Sequence, residues 1–271
     1  MIQAVFFDLD GTLLDESKRI PSSARAAILS AREKGISFYF ATARSPRLGE
    51  TLGWQEGDFA LFDGGVYSNG GCMDIRGERE FTFIDPKAVQ CCLEEVKKYP
   101  GVHLSLHMPR DGYAFNFPVA REMEAGWGLK NARIQDIEET DQNSIAKILI
   151  FYDHLTDAVD ALPGGLWEDL RRLCDPFARI YLTDQGRTIQ VTGLDAGKKN
   201  AIERIRRRMK WKMDQVAVFG DDINDLEMIS FYPNSIAMGN GDPAVRKAAA
   251  FVTGDNQGDG IARGIAWLME K

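Results

Sequence analysis

The sequence predicts an α/β fold, a parallel sheet with helices on both faces that is interrupted by an α+β insert. Short apolar segments alternate with helical segments at both ends of the chain, which is typical of parallel sheets covered by helices. The middle of the chain instead contains alternating and hairpin-forming strand segments separated by two helical segments. The length of 271 residues is enough for two domains, and 44% hydrophobic with 27% charged residues is an ordinary globular composition.

The first elements of the sheet lie close to the N-terminus. Residues 4–8 are an apolar strand segment, and residues 22–34 carry small apolar side chains at helical spacing. Gly35 ends that helix. Residues 36–41 are a second apolar strand, and another helix is expected near Pro46. Strand, helix and strand in this order predict parallel pairing.

The same order of elements returns towards the C-terminus. A helix rich in lysine and arginine is expected over residues 198–210, and an apolar strand over residues 215–219. Gly220, Asp221 and Asp222 follow that strand and lead into a further helix. The two ends of the chain are therefore expected to build one sheet together.

The middle of the chain predicts a separate domain. Residues 102–108 alternate with a period of two, residues 146–152 are strongly apolar, and residues 180–183 and 188–191 are expected to form a hairpin. Two helices separate these strands, over residues 86–98 and 154–173. We predict a core domain of residues 1–83 and 187–271 and an inserted α+β domain of residues 84–186, joined by short hinges.

Composition narrows the classes of partner. A net charge of −7 and a pI near 5.2 disfavour nucleic acid, which is bound by clustered lysines and arginines. No apolar stretch reaches the roughly 20 residues that span a membrane, and the first residues form a strand rather than a leader peptide. We therefore expect a cytoplasmic protein, a monomer or small homo-oligomer. The cysteines show no metal or disulfide spacing and are expected to be reduced thiols: Cys72, Cys91, Cys92 and Cys174.

Two carboxylates follow the first predicted strand. Asp8 and Asp10 lie where parallel sheets present ligands, at the carboxyl ends of strands. A pair of acids spaced by two is weak evidence alone, since loop carboxylates often accept only backbone hydrogen bonds. The full string Asp-Leu-Asp-Gly-Thr-Leu-Leu over residues 8–14 is much more specific.

That string resembles the first motif of the haloacid dehalogenase superfamily, and three further motifs follow in the family's order. Thr42 ends the second strand, Lys198 opens a helix, and Gly-Asp-Asp-Ile-Asn-Asp over residues 220–225 follows a strand. Four other segments resemble the Cof-type branch of phosphatases, in which a cap is inserted between the second and third motifs: residues 63–71, 237–241, 251–253 and 259–262. The resemblance implies a Rossmann-like core and a cap that selects the substrate.

The resemblance also implies a chemistry that suits these residue types. Asp8 would be the nucleophile that is transiently phosphorylated, and Asp10 the general acid and base, with its proton affinity raised by Asp8 and Asp221. Mg²⁺ would lie between Asp8, the Asp10 carbonyl and Asp221, because it prefers oxygen ligands. Lys198 would contact Asp8 and the phosphate, although the adjacent Lys199 leaves the choice of lysine open.

The remaining candidates are expected around the phosphate. Asn224 would orient the phosphate or a metal-bound water, Asp225 would position Lys198 or the metal, and Asp222 would be either a supporting residue or a solvated turn residue. Arg44 and Asn69 would be either substrate contacts or loop braces. The predicted phosphate and substrate contacts are Thr42, Ala43, Arg44, Asn69 and Asn224, where Ala43 replaces the family's usual glycine.

The predicted activity is hydrolysis of a small phosphate ester, such as a sugar phosphate, a nucleotide or a phosphorylated cofactor. Two alternatives stay open at this stage. A phosphomutase on the same scaffold would return the phosphoryl group to its substrate, and a non-catalytic module would only bind a phosphorylated ligand. The intact set of Asp8, Asp10, Lys198 and Asp221 favours an enzyme.

Overall fold

The computed structural model describes residues 1–152 and 161–271, and within them the chain divides into two units. The first unit contains Met1–Glu80 and Lys198–Lys271, and the second contains Phe81–Gly197. Each unit has its own sheet. The first unit is therefore built from two separate stretches of chain.

Fourteen strands and ten α-helices lie within the described residues of these units. The strands are β1 (Ala4–Phe7), β2 (Ser37–Ala41), β3 (Gly64–Tyr67), β4 (Cys72–Ile75), β5 (Glu78–Phe81), β6 (Val102–Met108), β7 (Gly112–Phe115), β8 (Arg133–Gln135), β9 (Lys147–Tyr152), β10 (Ala178–Thr183), β11 (Thr188–Gly193), β12 (Val216–Gly220), β13 (Asn234–Ala237) and β14 (Phe251–Val252). The helices among the described residues are α1 (Ser22–Arg32), α2 (Leu48–Leu52), α3 (Glu56–Phe59), α4 (Pro86–Val96), α5 (Arg121–Gly126), α6 (Gly164–Cys174), α7 (Lys198–Arg208), α8 (Leu226–Phe231), α9 (Pro243–Ala248) and α10 (Gly260–Met269).

The first sheet has eight strands in the order β14-β13-β12-β1-β2-β3-β4-β5. Pairing is parallel from β14 to β3, and β4 joins β3 antiparallel. On one face, Phe6 and Val218 pack against apolar side chains of α7, α8 and α9. On the other, a Cβ atom at Gly264 of α10 would lie 2.4 Å from the ring of Phe219, so this helix packs directly on the sheet. The predicted α/β class with helices on both faces is confirmed.

The second sheet has six strands in the order β10-β11-β9-β6-β7-β8. Apart from the parallel pair β7 and β8, neighbouring strands run antiparallel. Apolar side chains of β6, β9 and β11 form one core with α4 and α6. Alternation along β6 buries Val102, Leu104 and Leu106 in this core and turns the intervening residues to the opposite face.

Two sequence predictions differ from the observed elements. The boundary predicted at residue 187 assigned Thr188–Gly193 to the core, but this strand pairs with β9 and β10 in the second sheet, because the hairpin fixes its register. The helix predicted over residues 154–173 is observed as Gly164–Cys174, and residues 153–160 lie outside the described part. Across the described residues, no helix is both long and apolar enough to span a membrane.

Candidate active site

Acidic side chains converge at the carboxyl edge of the first sheet. Asp8 follows β1 and Asp221 follows β12, and these two strands are paired in parallel with Phe7 opposite Phe219. The backbone N–H of Asp8 donates to the carbonyl of Phe219 at 3.0 Å, which extends the ladder of hydrogen bonds by one residue to Asp8. Parallel pairing thus brings together two carboxylates that lie more than 200 residues apart in the chain.

Lys198 joins Asp8 and Asp225, the two more buried of the three carboxylates at this edge. Its Nζ donates to Oδ1 of Asp8 at 2.6 Å and to Oδ1 of Asp225 at 2.6 Å, and its residue is only 3% exposed. Burial opposes the charge on the amine, but Asp225 and Asp8 together raise the pKa of Lys198 above its ordinary value. Lys199 instead pairs with Glu227 at 3.4 Å, so the structure places Lys198 and not its neighbour against Asp8.

Asp221 is held by the loop that follows Asp8. The Oγ1 of Thr12 donates to Oδ1 of Asp221 at 2.6 Å. Gly11 has φ of +81°, and a Cβ atom there would lie 2.2 Å from Oδ2 of Asp221. Burial raises the pKa of Asp221 to about 6, against the hydrogen bond from Thr12. Only a glycine lets the loop approach this carboxylate so closely.

The same carboxylates suit a divalent cation. One oxygen from each of Asp8, Asp221 and Asp225 can lie within 4.8 Å of the others. Three carboxylates against the one ammonium group of Lys198 leave two negative charges unbalanced, and burial with this excess raises the pKa of Asp8 well above its usual range. A hard divalent ion such as Mg²⁺ prefers oxygen donors, so both the donor atoms and the charge fit it.

Asp10 lies among cations, not against the other acids. Nε and Nη2 of Arg44 donate to its two carboxylate oxygens at 2.6 and 2.7 Å, and Nζ of Lys18 donates at 2.7 Å. Burial alone would raise the pKa of Asp10, but Arg44 and Lys18 hold it below its ordinary value. The prediction that Asp8 and Asp221 raise the proton affinity of Asp10 is therefore wrong for this state of the site.

Thr42 and its neighbours form the loop after β2. Thr42 is buried, and its Oγ1 accepts the backbone N–H of Arg44 at 3.1 Å. Its carbonyl accepts the N–H of Asn69 at 3.0 Å, and the carbonyl of Arg44 accepts the N–H of Ser68 at 2.8 Å. The stretch from Thr42 through Ala43 to Arg44 is thus fastened to the segment around Asn69, which is buried with φ of +50°.

The acidic motif after β12 contains three side chains with different surroundings. Oδ2 of Asp225 accepts the backbone N–H groups of Asp221 and Asp222 at 3.0 and 3.3 Å, which shapes the turn. Asp222 is exposed and accepts the N–H of Ile223 at 2.8 Å, the geometry of a turn residue. The Oδ1 atom of Asn224 is buried and has no hydrogen-bond partner among the described residues, so it is free to accept one.

Sequence reasoning missed three residues that support the site. Thr12 contacts Asp221, and Lys18 contacts Asp10. The side chain of Asn240 donates to the carbonyl of Gly11 at 2.8 Å and so fixes the loop that carries the glycine. Thr12 lies inside the first motif and could have been selected as a hydroxyl near two acids, whereas no local signal identifies the partner of Lys18.

Comparison with known proteins agrees with this architecture. The family described as haloacid dehalogenase-like hydrolase matches residues 5–265. The chain belongs to this family of hydrolases, as the Cof-type motifs predicted.

Two relatives and one solved structure illustrate the similarity. The 5-amino-6-(5-phospho-D-ribitylamino)uracil phosphatase YcsE of Bacillus subtilis is 24% identical over 275 residues, covering 99% of this chain and 96% of the relative. The pyridoxal phosphate phosphatase YbhA of Escherichia coli is 25% identical over 273 residues, covering 96% of each chain. The structure of the subclass IIB sugar phosphatase BT4131 has a TM-score of 0.80 at 23% identity, covering 98% of this chain and 99% of that one, and shows the same fold.

Proposed function

We propose that the protein is a magnesium-dependent phosphatase that hydrolyses a small phosphorylated metabolite through an aspartyl-phosphate on Asp8. The observation that carries the proposal is the buried contact of Asp8 with Lys198 at 2.6 Å, beside the carboxylates of Asp221 and Asp225. A carboxylate that is oriented by a fixed ammonium group can attack phosphorus and leave an acyl phosphate, which water then hydrolyses.

The buried residues of the site would bind and orient the phosphoryl group. Mg²⁺ bound by Asp8 and Asp221 would neutralise charge on the nucleophile and the phosphate oxygens. Lys198 orients Asp8 and supplies a second positive charge, while Asp225 keeps Lys198 in place through its 2.6 Å contact. The Oγ1 of Thr42 and the side chain of Asn224 supply polar contacts at the loops after β2 and β12.

Asp10 acts as the general acid once its cations are drawn away. In the structure Arg44 and Lys18 keep its carboxylate ionised. A dianionic phosphate competes for the guanidinium group of Arg44, and loss of that contact raises the pKa of Asp10. The carboxyl group then protonates the leaving oxygen and afterwards accepts a proton from the attacking water.

The relatives support the class of substrate only. Two of them are named for a phosphorylated cofactor and for a phosphorylated ribitylamino-uracil, which are both small metabolites with a phosphate monoester. We extend to this chain the shared chemistry, a phosphate monoester on a small organic leaving group. The second unit, Phe81–Gly197, is proposed to act as the cap that selects this group.

The test is release of inorganic phosphate from a panel of phosphate monoesters by the purified protein. We expect release with Mg²⁺, no release when EDTA removes the metal, and no release from the Asp8→Asn variant. Trapping of ³²P on the wild-type protein after an acid quench, absent in Asp8→Asn, would support the covalent intermediate. A folded, magnesium-loaded protein that releases phosphate from no ester, or an Asp8→Asn variant with full activity, would overturn the proposal.

A further inference from the structure

The two faces of the second sheet differ in chemistry. The face that packs on α4 and α6 is apolar, with Leu106, Ile148 and Val191 in its core. The opposite face carries the alternate residues of the same strands, among them His107 of β6 and Lys147 of β9. Buried polar groups such as these normally have hydrogen-bond partners, and a buried polar atom without one requires an explanation.

Five of these polar residues form one row across the sheet. The pairing registers place Tyr113 opposite His107, His107 opposite Lys147, Lys147 opposite Thr192, and Thr192 opposite Arg179. Residues directly opposite each other share a face, and adjacent strands are about 4.8 Å apart. We call these five residues the polar row, and all five lie within the second unit.

The two neighbours of Lys147 in the polar row each hold a buried atom with no hydrogen-bond partner. They are Nδ1 of His107 and Oγ1 of Thr192, and neither has a partner among the described residues. Thr192 is fully buried and Lys147 is only 4% exposed. Two unused hydrogen-bonding atoms on either side of a buried cation are an arrangement that ordinary packing does not require.

The charge in the polar row is carried by the lysine and the arginine. Burial, with the charge of Lys147, lowers the pKa of His107 to about 3, so the imidazole is neutral at physiological pH. Nε2 of His107 lies 3.1 Å from Oγ of Ser105, and when that hydroxyl donates to Nε2, Nδ1 carries the hydrogen and can donate. The side chain of Arg179 is held by its Nε, which donates to the carbonyl of Leu194 at 2.9 Å.

The other end of the same face is filled in a different way. The ring centroids of His103 and Phe117 lie 3.9 Å apart with the rings tilted by 42°, and Phe151 and Trp127 pack edge to face at 5.4 Å. This aromatic cluster fills that end with the protein's own side chains. Among the described residues of this face, the buried side-chain atoms without a hydrogen-bond partner are Nδ1 of His107 and Oγ1 of Thr192, both in the polar row.

We propose that the polar row binds a small organic anion, with Lys147 and Thr192 as donors to a carboxylate or phosphate group. A cation flanked by neutral donors recognises a negative group through charge-assisted hydrogen bonds. The anion comes either from the substrate, as a second negative group besides the phosphate that is hydrolysed, or from a separate metabolite. The first source rests on the proposed function, and the second does not.

The first experiment compares two esters that differ in one group. The substrate 3-phosphoglycerate carries a carboxylate where glycerol 3-phosphate carries a hydroxymethyl group. We expect the wild-type protein to prefer the carboxylate by kcat/KM, and Thr192→Val and Lys147→Met to reduce that preference by about tenfold or more, as loss of a charge-assisted hydrogen bond predicts. The matched control is Thr188→Val, on the same strand and face, which should keep the wild-type preference.

The second experiment needs no turnover. Binding of D-glycerate to the magnesium-loaded protein is measured by ligand-observed NMR, together with the melting temperature of each variant as a check of folding. Weaker binding in Thr192→Val, but not in Thr188→Val, supports the anion site even if no ester is hydrolysed. A fall in both readouts identifies the substrate as the source, and a fall in glycerate binding alone identifies a separate anion. If Thr192→Val changes neither, the two buried atoms are satisfied by water and the inference is overturned.

Discussion

Within residues 1–152 and 161–271, each unit buries one lysine, and the surroundings of the two lysines differ. Lys198 in the first unit contacts two carboxylates at 2.6 Å, whereas Lys147 in the second lies in register between His107 and Thr192, which hold unsatisfied atoms. Lys198 holds its two carboxylates at fixed positions, as chemistry at a fixed position requires. Beside Lys147, Nδ1 of His107 and Oγ1 of Thr192 have no hydrogen-bond partner among the described residues, which leaves capacity for recognition.

Replacing Lys198 should have the largest effect. Lys198→Met leaves Asp8 and Asp225 without their shared cation, so kcat should fall at least about a hundredfold, as for loss of one preorganised charge-stabilising group. Removing one partner of a buried ion pair also costs about 3–5 kcal/mol. Steady-state kinetics and urea unfolding without Mg²⁺ measure the two effects.

The matched control is the neighbouring lysine. Lys199 pairs with Glu227 near the surface, so Lys199→Met should change kcat by less than about twofold, as expected for an exposed pair. Equal losses in the two variants would show that general helix charge, and not the contact with Asp8, supports turnover.

The second prediction tests the close contact between Gly11 and Asp221 in the first unit. Gly11→Ala places a Cβ atom 2.2 Å from Oδ2 of Asp221, so that carboxylate must move. We expect Mg²⁺ affinity and activity to fall by about 10–100-fold, the usual cost of disturbing a metal ligand's support. Gly35→Ala carries the same strain, with φ of +85° and nothing within 4 Å of its Cβ, and should keep the affinity. Isothermal titration with Mg²⁺ compares the two, and equal affinities would contradict the proposed role of Asp221.

The third and smallest effect belongs to the second unit. The pKa of His107 is lowered from 6.5 to about 3, so the folded state binds fewer protons than the unfolded state between these values. The contribution of neutral His107 to the free energy of unfolding is therefore fully present above pH 6.5. It is lost progressively as the pH falls from 6.5 towards 3. His107→Gln removes this loss, so from pH 7 to pH 4.5 the wild type should lose roughly 1–2 kcal/mol more than the variant. The free energy of unfolding is measured by urea denaturation for both proteins at pH 7 and pH 4.5. An equal loss in the wild type and in His107→Gln would contradict the prediction and show that His107 is solvated.

The part of the site that could be predicted from the sequence is the part encoded by contiguous motifs after buried strands. Asp8 and Asp221 directly follow β1 and β12, and the carboxyl ends of parallel strands meet at one edge. The family motif then selected Lys198, which the structure places against Asp8. Strand burial and motif spacing are local properties, and so a single sequence reveals them.

The contacts of Asp10 could not be predicted in this way. Lys18 reaches it from a turn where its own φ is +58°, and Arg44 reaches it from the loop after β2. Which cation meets which carboxylate depends on the path of two loops, and those loops carry no periodic pattern. The polar row could not be predicted for the same reason. Its five residues are aligned by the pairing register of five strands, and no single strand encodes that register.

The position of β1 has a consequence for synthesis of the chain. β1 lies between β2 and β12, and Ala4 pairs with Val216. At about 5–20 residues per second, a ribosome needs roughly 10–40 seconds to make the stretch between these partners. Throughout that interval one edge of the emerging β1 has no native neighbour, and exposed strand edges invite pairing with other chains. The second unit, Phe81–Gly197, is synthesised before β12, so it can fold first, whereas Asp8 meets Asp221 and Asp225 only after β12 has been made.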